Sequence, residues 1–285
     1  MPTAAAAPTK GAARRVLPGF RVTLGTTLLY VSIIVMIPII ALILKGAEIG
    51  PVRFWQIITA DRALAAFRIT ITAAAIATVI NAVYGLLMAW VLVRYRFPGR
   101  RLLDALMDIP FALPTAVAGL SLTALYSANG WFGAPLAGMG ISVVYTLAGI
   151  VLAMTFTSIP FVVRAVQPVL EDLDPALEQA ASTLGATRWT TFTRVVFPAI
   201  MPAWLGGVTT SFARSLGEFG AVVFIAGNLP FKTEIVSLLA YIRLDEYDYS
   251  GAAAIALVLM VLALILLLIS NLIQLSAARK LAPVV

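Results

Sequence analysis

Long apolar segments alternate with short polar ones along most of the chain. A helix that crosses a bilayer needs about 20 mainly apolar residues. Six segments come close to that length, at residues 22–44, 67–93, 105–126, 141–163, 197–225 and 251–275. We therefore predict an all-α, polytopic membrane protein with six transmembrane helices, whose two termini lie on the same side of the membrane.

The polar stretch at residues 177–198 has the periodicity of a helix pair. Asp174 followed by Pro175 is typical of a helix start. Gly185 stands where a helix end requires a positive φ, and residues 186–194 can form a second short helix. One apolar face combines positions at i, i+3, i+4 and i+7: Leu177, Ala180, Ala181 and Leu184. Helices this short are marginally stable alone, so we expect a docking surface, with an ordinary amphipathic connector as the alternative.

The Lys and Arg residues divide unevenly between the two sides. One side holds Lys10, Arg14, Arg15, Arg21, Arg94, Arg96, Arg100, Arg101, Arg164, Arg188, Arg194, Arg279 and Lys280, and the other holds Lys45, Arg53, Arg62, Arg68, Lys232 and Arg243. Because cytoplasmic loops are enriched in Lys and Arg, the richer side is predicted to be cytoplasmic. Both termini and residues 177–198 then lie in the cytoplasm.

The composition excludes several kinds of chemistry. The chain is 61% hydrophobic and 12% charged, against about 25% charged residues in soluble proteins. It contains no Cys and no His, which argues against zinc sites, disulfides and Cys or His catalysis. We therefore expect no catalytic site, metal or cofactor in this chain. The net charge of +7 resides beside the apolar segments, so it is read as a topology signal and not as a nucleic-acid site.

Two intramembrane features are candidates for function. Arg214 and Glu218 are four residues apart and can pair on one helix face. Charged side chains inside a bilayer face protein or water, so this pair is either a structural link or part of a translocation path. Pro110 and Pro114 interrupt the third segment, which predicts either a gate in the path wall or a packing kink.

The external segments differ in character. Residues 45–68 contain Phe54 and Trp55 and are predicted to include an interfacial helix. Residues 127–140 are rich in Gly and predicted to be a tight connector. Residues 229–250 carry many charges and form either a solvated loop or a contact for a binding protein.

Residues 177–198 resemble the EAA motif of ATP-binding-cassette (ABC) importer permeases. Gln179 stands where that family usually has Glu, and Glu178 precedes it. The resemblance implies a type I importer permease whose cytoplasmic coupling helix docks in a groove of an ATPase subunit. The docking residues implied are Glu178, Gln179, Ala180, Ala181, Gly185 and Arg188.

Three further segments, at residues 110–133, 211–239 and 243–256, resemble the T-type (also called U-type) permease subunits of sulfate/thiosulfate importers. This resemblance implies a homologous W-type permease partner, an external sulfate-binding protein, two ATPase subunits that hold ATP and Mg, and the bacterial inner membrane with its lipid. The chain has no GxxxxGK[ST] sequence, which agrees with a nucleotide site on a partner. A molybdate/tungstate permease is the alternative, and a secondary anion transporter or a membrane enzyme are others.

These inferences divide the chain into four parts. Residues 1–20 are rich in Ala and Pro with too little hydrophobic content to fold, so they are expected to be a flexible cytoplasmic tail. The apolar run at 22–44 is longer than the apolar region of a cleaved signal peptide, so it is expected to be an uncleaved first span. Residues 21–66 are expected to hold the first transmembrane helix and an external segment. Residues 67–275 are the predicted permease core, which contains the coupling loop at 171–198. Residues 276–285 are expected to be a cytoplasmic tail.

Overall fold

The computed structural model describes residues 20–281, which are largely helical and contain no strand. The chain divides between Leu44 and Lys45 into two compact units. The first helix, α1 (Phe20–Ala47), supplies the whole described part of the first unit. Residues 1–19 and 282–285, which include most of the predicted tails, lie outside the described residues.

The second unit contains the remaining helices. In chain order these are α2 (Pro51–Ile58), α3 (Asp61–Arg94), α4 (Arg100–Leu106), α5 (Ile109–Ala112), α6 (Thr115–Tyr126), α7 (Gly133–Gly138), α8 (Leu147–Asp172), α9 (Pro175–Thr183), α10 (Arg188–Thr191), a π-helical turn (Phe192–Val196), α11 (Phe197–Leu216), α12 (Gly220–Ile225), α13 (Val236–Asp245) and α14 (Tyr249–Leu281).

Five helical stretches within residues 20–281 are long and apolar enough to cross a membrane: Val22–Ala47, Asp61–Arg94, Leu147–Asp172, Arg188–Leu216 and Tyr249–Ile269. A bent pair, Arg100–Ala112 and Thr115–Tyr126, turns through 114° and makes a sixth span if it is counted as one. The prediction of an all-α protein with six spans is therefore confirmed, with the third span broken at the predicted prolines.

The fifth span differs from the prediction. Residues 197–225 were expected to form one helix, but α11 ends at Leu216 and α12 begins only at Gly220. The apolar pattern continues through this interruption, so hydropathy alone does not reveal it. The consequence is that Glu218 lies between two helices and not within one.

Small residues bring three long helices together at the centre of the second unit. Ala73, Ala74 and Ala77 of α3 are fully buried in the main hydrophobic core. A Cβ atom on Gly207 of α11 would lie 2.9 Å from the carbonyl oxygen of Phe161 in α8. Small side chains let helix backbones approach closely within a membrane. The helices α3, α8 and α11 thus form the scaffold on which the other elements are placed.

Candidate functional site

The coupling loop begins and ends its first helix with the predicted local contacts. The Asp174 carboxylate accepts a hydrogen bond from the backbone N–H of Ala176 at 2.9 Å. At the other end Gly185 has φ +80°, and the N–H of Ala186 donates to the carbonyl of Ala181 at 3.0 Å. This is the glycine-dependent ending expected from the sequence. The first helix of the loop therefore has defined ends, at Asp174 and Gly185.

The second half of the loop starts slightly later than predicted. Thr187 accepts a hydrogen bond from the N–H of Thr190 at 3.2 Å, which places the start of α10 at Arg188. The chain then passes through the π-helical turn directly into α11. The coupling loop is thus a helical extension of a transmembrane helix.

Glu178 anchors the loop to the end of α3. Its Oε1 lies 2.5 Å from Nη2 of Arg94, and both side chains are partly buried. The Arg94 guanidinium also lies over the ring of Trp90, 5.6 Å from its centroid. Glu178 thus provides an acidic contact one residue before the position at which the motif usually has Glu, whereas the side chain of Gln179 is exposed.

The outer face of the coupling loop is apolar and uncovered. Leu184 is 87% exposed and Trp189 is 73% exposed, with Leu177 half exposed on the same helix face as Leu184. Exposed apolar side chains grouped in this way mark interaction surfaces. Of the other predicted docking residues, Ala180, Gly185 and Arg188 are exposed and Ala181 is half-buried.

A chain of aromatic rings connects the coupling loop with the membrane helices. Trp189 stacks on Phe192 with ring centroids 5.9 Å apart, and Phe192 meets Phe197 at 5.9 Å. Phe197 contacts Trp204 at 5.6 Å, and the Trp204 indole N–H donates to the carbonyl of Ala82 at 2.9 Å. The loop is therefore packed against α3 through side chains as well as joined to α11 through the backbone.

Arg214 and Glu218 make the predicted contact, but they do not lie on one continuous helix. Arg214 is near the end of α11, and Glu218 lies in the break before α12. Their side chains approach to 2.8 Å, with Glu218 1% exposed and Arg214 35% exposed. The other carboxylate oxygen of Glu218 accepts from the N–H of Ala221 at 3.1 Å, and its backbone carbonyl accepts from the hydroxyl of Ser237 at 2.9 Å. Glu218 thus stabilises the interruption between α11 and α12, as well as contacting Arg214.

The predicted prolines lie at the bend of the third span. Pro110 is in the first turn of α5, and Pro114 directly precedes α6. The bent segment is fixed to α8 by Arg164, which donates to both oxygens of Asp108 at 2.8 and 2.7 Å and to Asp104 at 2.6 Å. These pairs could not be predicted from the sequence, because they join residues 56 and 60 positions apart.

The two helix interruptions are adjacent in space. A Cβ atom on Gly220, the first residue of α12, would lie 3.0 Å from Cβ of Thr115, the first residue of α6. A Cβ atom on Gly119 would lie 2.9 Å from Cα of Ala221. The helices α6 and α12 therefore pack backbone to backbone, with the two breaks side by side. This arrangement brings the predicted proline and Arg214–Glu218 features into one region.

Two buried polar arrangements were missed by sequence reasoning. Glu234 is fully buried and accepts hydrogen bonds from Nε and Nη2 of Arg62 at 2.8 and 2.7 Å. The interpretation of residues 229–250 as a solvated loop is therefore wrong at this position. Their predicted alternative role, as a contact for a binding protein, stays a prediction.

The second arrangement is an amide and hydroxyl cluster in the helical core. The Asn81 side chain donates to Ser158 at 2.8 Å and to Ser211 at 3.1 Å, and Ser158 lies 3.0 Å from Ser215. All four residues are fully buried. Asn81 within a long apolar segment was the available signal, since a buried amide needs partners. The cluster joins α3, α8 and α11 across the core.

Comparison with known proteins agrees with this architecture. Residues 81–281 match the family model of the binding-protein-dependent transport system inner membrane component. The sulfate transport system permease protein CysT of Escherichia coli K12 is 58% identical over 243 residues, which cover 85% of this chain and 88% of that protein. The CysT protein of Synechocystis sp. PCC 6803 is 48% identical over 248 residues, 87% of each chain.

Solved structures give the same fold. A crystal structure of a bacterial ABC transporter that imports the polysaccharide alginate matches with a TM-score of 0.73 and 19% identity, over 93% of this chain and 96% of that one. A bacterial alginate ABC transporter in complex with its pentasaccharide-bound periplasmic protein matches with a TM-score of 0.74 and 19% identity, over 88% and 92%. The chain therefore belongs to the family of inner membrane components of binding-protein-dependent transport systems, which also contains the sulfate transport system permease proteins.

Proposed function

We propose that this chain is the membrane-spanning permease subunit of an ATP-driven importer that carries sulfate and thiosulfate across the bacterial inner membrane. The observation that carries the proposal is the 58% identity with the Escherichia coli sulfate permease over most of both chains. The molybdate/tungstate alternative is not favoured, because the Synechocystis relative at 48% identity is also a sulfate permease.

The ATPase subunits dock on the coupling loop. The exposed Leu177, Leu184 and Trp189 supply an apolar contact surface, and the Glu178–Arg94 pair holds that surface in place. ATP and Mg are bound by these partners, and this chain supplies no catalytic group. Movement of the docked loop reaches α11 because the two are helically continuous.

A homologous W-type permease completes the membrane part of the importer, and an external sulfate-binding protein delivers the anion. The Lys and Arg distribution supports cytoplasmic termini and a cytoplasmic coupling loop. A related alginate transporter has been solved with its periplasmic protein bound, which supports delivery from that side.

The gate lies where the two helix interruptions meet. Non-helical backbone within a membrane occurs where protein covers it or where it lines a water-filled cavity. The breaks after Pro114 and around Glu218 are placed side by side by the Gly220–Thr115 approach. Arg214 is partly exposed next to them, and its charge is offset by Glu218 at 2.8 Å. Pro110, Pro114, Arg214 and Glu218 are therefore the proposed gate residues.

The test is uptake of labelled sulfate by cells that lack this chain and by cells in which it is restored, with molybdate as competitor. Loss on deletion, recovery on restoration and no effect of molybdate are expected. Unchanged sulfate uptake together with lost molybdate uptake would keep the permease but overturn the substrate.

A further inference from the structure

Arg68 and Lys232 line a cavity of about 560 Å³. Its walls come from the first third of α3, the first residue of α8 and the segment before α13. Both side chains are exposed, and neither forms an ion pair or hydrogen bond within residues 20–281. No carboxylate lines this cavity either; its other walls are Leu64, Ala65, Ile69, Thr72, Leu147 and Phe231. Neighbouring positive charges without compensation attract an anionic ligand.

Arg68 lies at the level expected for lipid headgroups. An uncharged run of about 25 residues separates Arg68 from Arg94 along α3. At 1.5 Å per residue this run is about 37 Å long, somewhat more than the hydrocarbon thickness of about 30 Å. Arg94 contacts the coupling loop, so Arg68 marks the opposite boundary of the membrane.

An apolar groove between α3 and α8 lies beside this cavity. A second cavity of about 550 Å³ is lined by Ile76 and Ile80 of α3 and by Val151 and Leu152 of α8, among others. Leu147 lines both cavities, so the two lie next to each other. From Arg68 to Ile80 the helix rises by about 18 Å, close to the depth of one leaflet.

We propose that this groove binds an anionic phospholipid, with its phosphate between Arg68 and Lys232 and an acyl chain along Ile76 and Ile80. Basic side chains near a membrane surface attract anionic headgroups. The apolar groove below them gives the acyl chain a place to lie. The site is separate from the proposed gate and adds a ligand class beyond the transported anion.

Two other occupants fit the chemistry less well. Helix α1 of a second copy contains no Asp or Glu and cannot neutralise the two cations. A small hydrated dianion such as sulfate gains nothing from the apolar groove and loses water on approaching it. An anionic lipid satisfies both parts of the site.

The experiment measures binding of phosphatidylglycerol and of phosphatidylcholine to the full chain assembled with its permease partner and ATPase subunits, by native mass spectrometry. The variant Arg68→Gln/Lys232→Gln is expected to bind phosphatidylglycerol about 30-fold more weakly, since each basic residue contributes about fivefold. Phosphatidylcholine binding is expected to stay the same. Arg53→Gln is the matched control, because Arg53 is an exposed cation on α2 outside both cavities.

A second variant, Ile76→Trp, fills the groove and keeps both charges, and is expected to weaken phosphatidylglycerol binding as well. It keeps the test valid if the double variant fails to assemble. Unchanged lipid binding in both variants would overturn the proposal. Displacement of phosphatidylglycerol by sulfate would overturn it in favour of a substrate site, and binding to the single chain but not to the assembled complex would assign the groove to a partner subunit.

Discussion

The carboxylate of Glu234 has no contact with water, whereas the Arg62 side chain that neutralises it is 37% exposed. The two partners of this ion pair therefore differ in what their removal leaves behind. Loss of Arg62 leaves a buried unpaired charge, which is strongly unfavourable. Loss of Glu234 leaves a cation that can still reach solvent. The pair joins the start of α3 to the segment before α13. Losing either side chain therefore also removes a contact between these two elements.

We expect Arg62→Ala to lower the free energy of unfolding by about 3–5 kcal/mol, and Glu234→Ala to lower it by about 1–3 kcal/mol. Thermal unfolding of the purified chain in detergent shows which of the two variants is less stable. Lys45→Ala is the control, since the Lys45–Glu48 pair is exposed on both sides and worth at most about 1 kcal/mol. A larger loss from Glu234→Ala than from Arg62→Ala would contradict the argument.

The role of a residue could be predicted from the sequence where its partners lie only a few positions away along the chain. Asp174 and Gly185 act on backbone groups within a few positions, so their roles follow from the chain itself. Arg62 and Glu234 are 172 positions apart, and the sequence gives no means of pairing them. Glu178 was predicted only in part. The sequence shows an acidic residue at this position, but it does not show that the partner is Arg94.

The coupling loop shows which features of an element can be predicted. Its first helix and glycine ending follow from capping residues and apolar spacing, and both are present. The interruption between α11 and α12 was missed because the hydrogen bonds that stabilise it come from Ala221 and Ser237, after the end of the helix. An apolar sequence is compatible with either a continuous or a broken helix, and tertiary contacts decide between them.

Gly185→Asp is expected to abolish most sulfate uptake. A side chain at φ +80° costs about 1–2 kcal/mol, less for Asn or Asp than for other residues. The added charge would also lie on the proposed docking surface. No atom lies within 4 Å of the added Cβ, so steric conflict within the chain is not the cause. Gly185→Asn is the matched control for backbone conformation and should keep most of the uptake. Normal uptake and ATPase association in the Asp variant would exclude the docking role.

The contact between α6 and α12 is expected to be sensitive to a single methyl group. Gly119→Ala places Cβ 2.9 Å from backbone atoms of Ala221, which cannot move aside as a side chain would. We expect a loss of about 1–3 kcal/mol in the free energy of unfolding, measured by thermal or denaturant unfolding. Gly138→Ala is the control, because nothing lies within 4 Å of its added Cβ. Equal stability of the two variants would show that the helices can separate without cost.

At the scale of the whole molecule, the bilayer makes the architecture predictable. Lipid requires every backbone group to be satisfied internally, so long apolar segments must be helices. The number of spans follows from segment length for the same reason. How the helices pack is less predictable, because the spanning helices share similar compositions. The Asn81 cluster and the proximity of α6 to α12 became apparent only in the folded chain.

The proposed orientation is testable because the chain contains no Cys. A single Cys can therefore be placed at Leu184, which is 87% exposed on the coupling loop, or at Trp131, which is 84% exposed in the predicted external connector. In cells that lack the ATPase subunits, which would otherwise cover Leu184, a membrane-impermeant maleimide is expected to label Trp131→Cys in intact spheroplasts and Leu184→Cys only after permeabilisation. Labelling of both from the same side would refute the proposed topology.

The π-helical turn at Phe192–Val196 determines the direction in which the coupling loop faces. A wider turn of this kind takes up one additional residue without rotating the helix on either side of it. Removing one residue from this turn would therefore leave Leu184 and Trp189 facing the same way. The same deletion in the regular part of α11 would rotate them by about 100° and turn the apolar surface away from the direction proposed for ATPase docking.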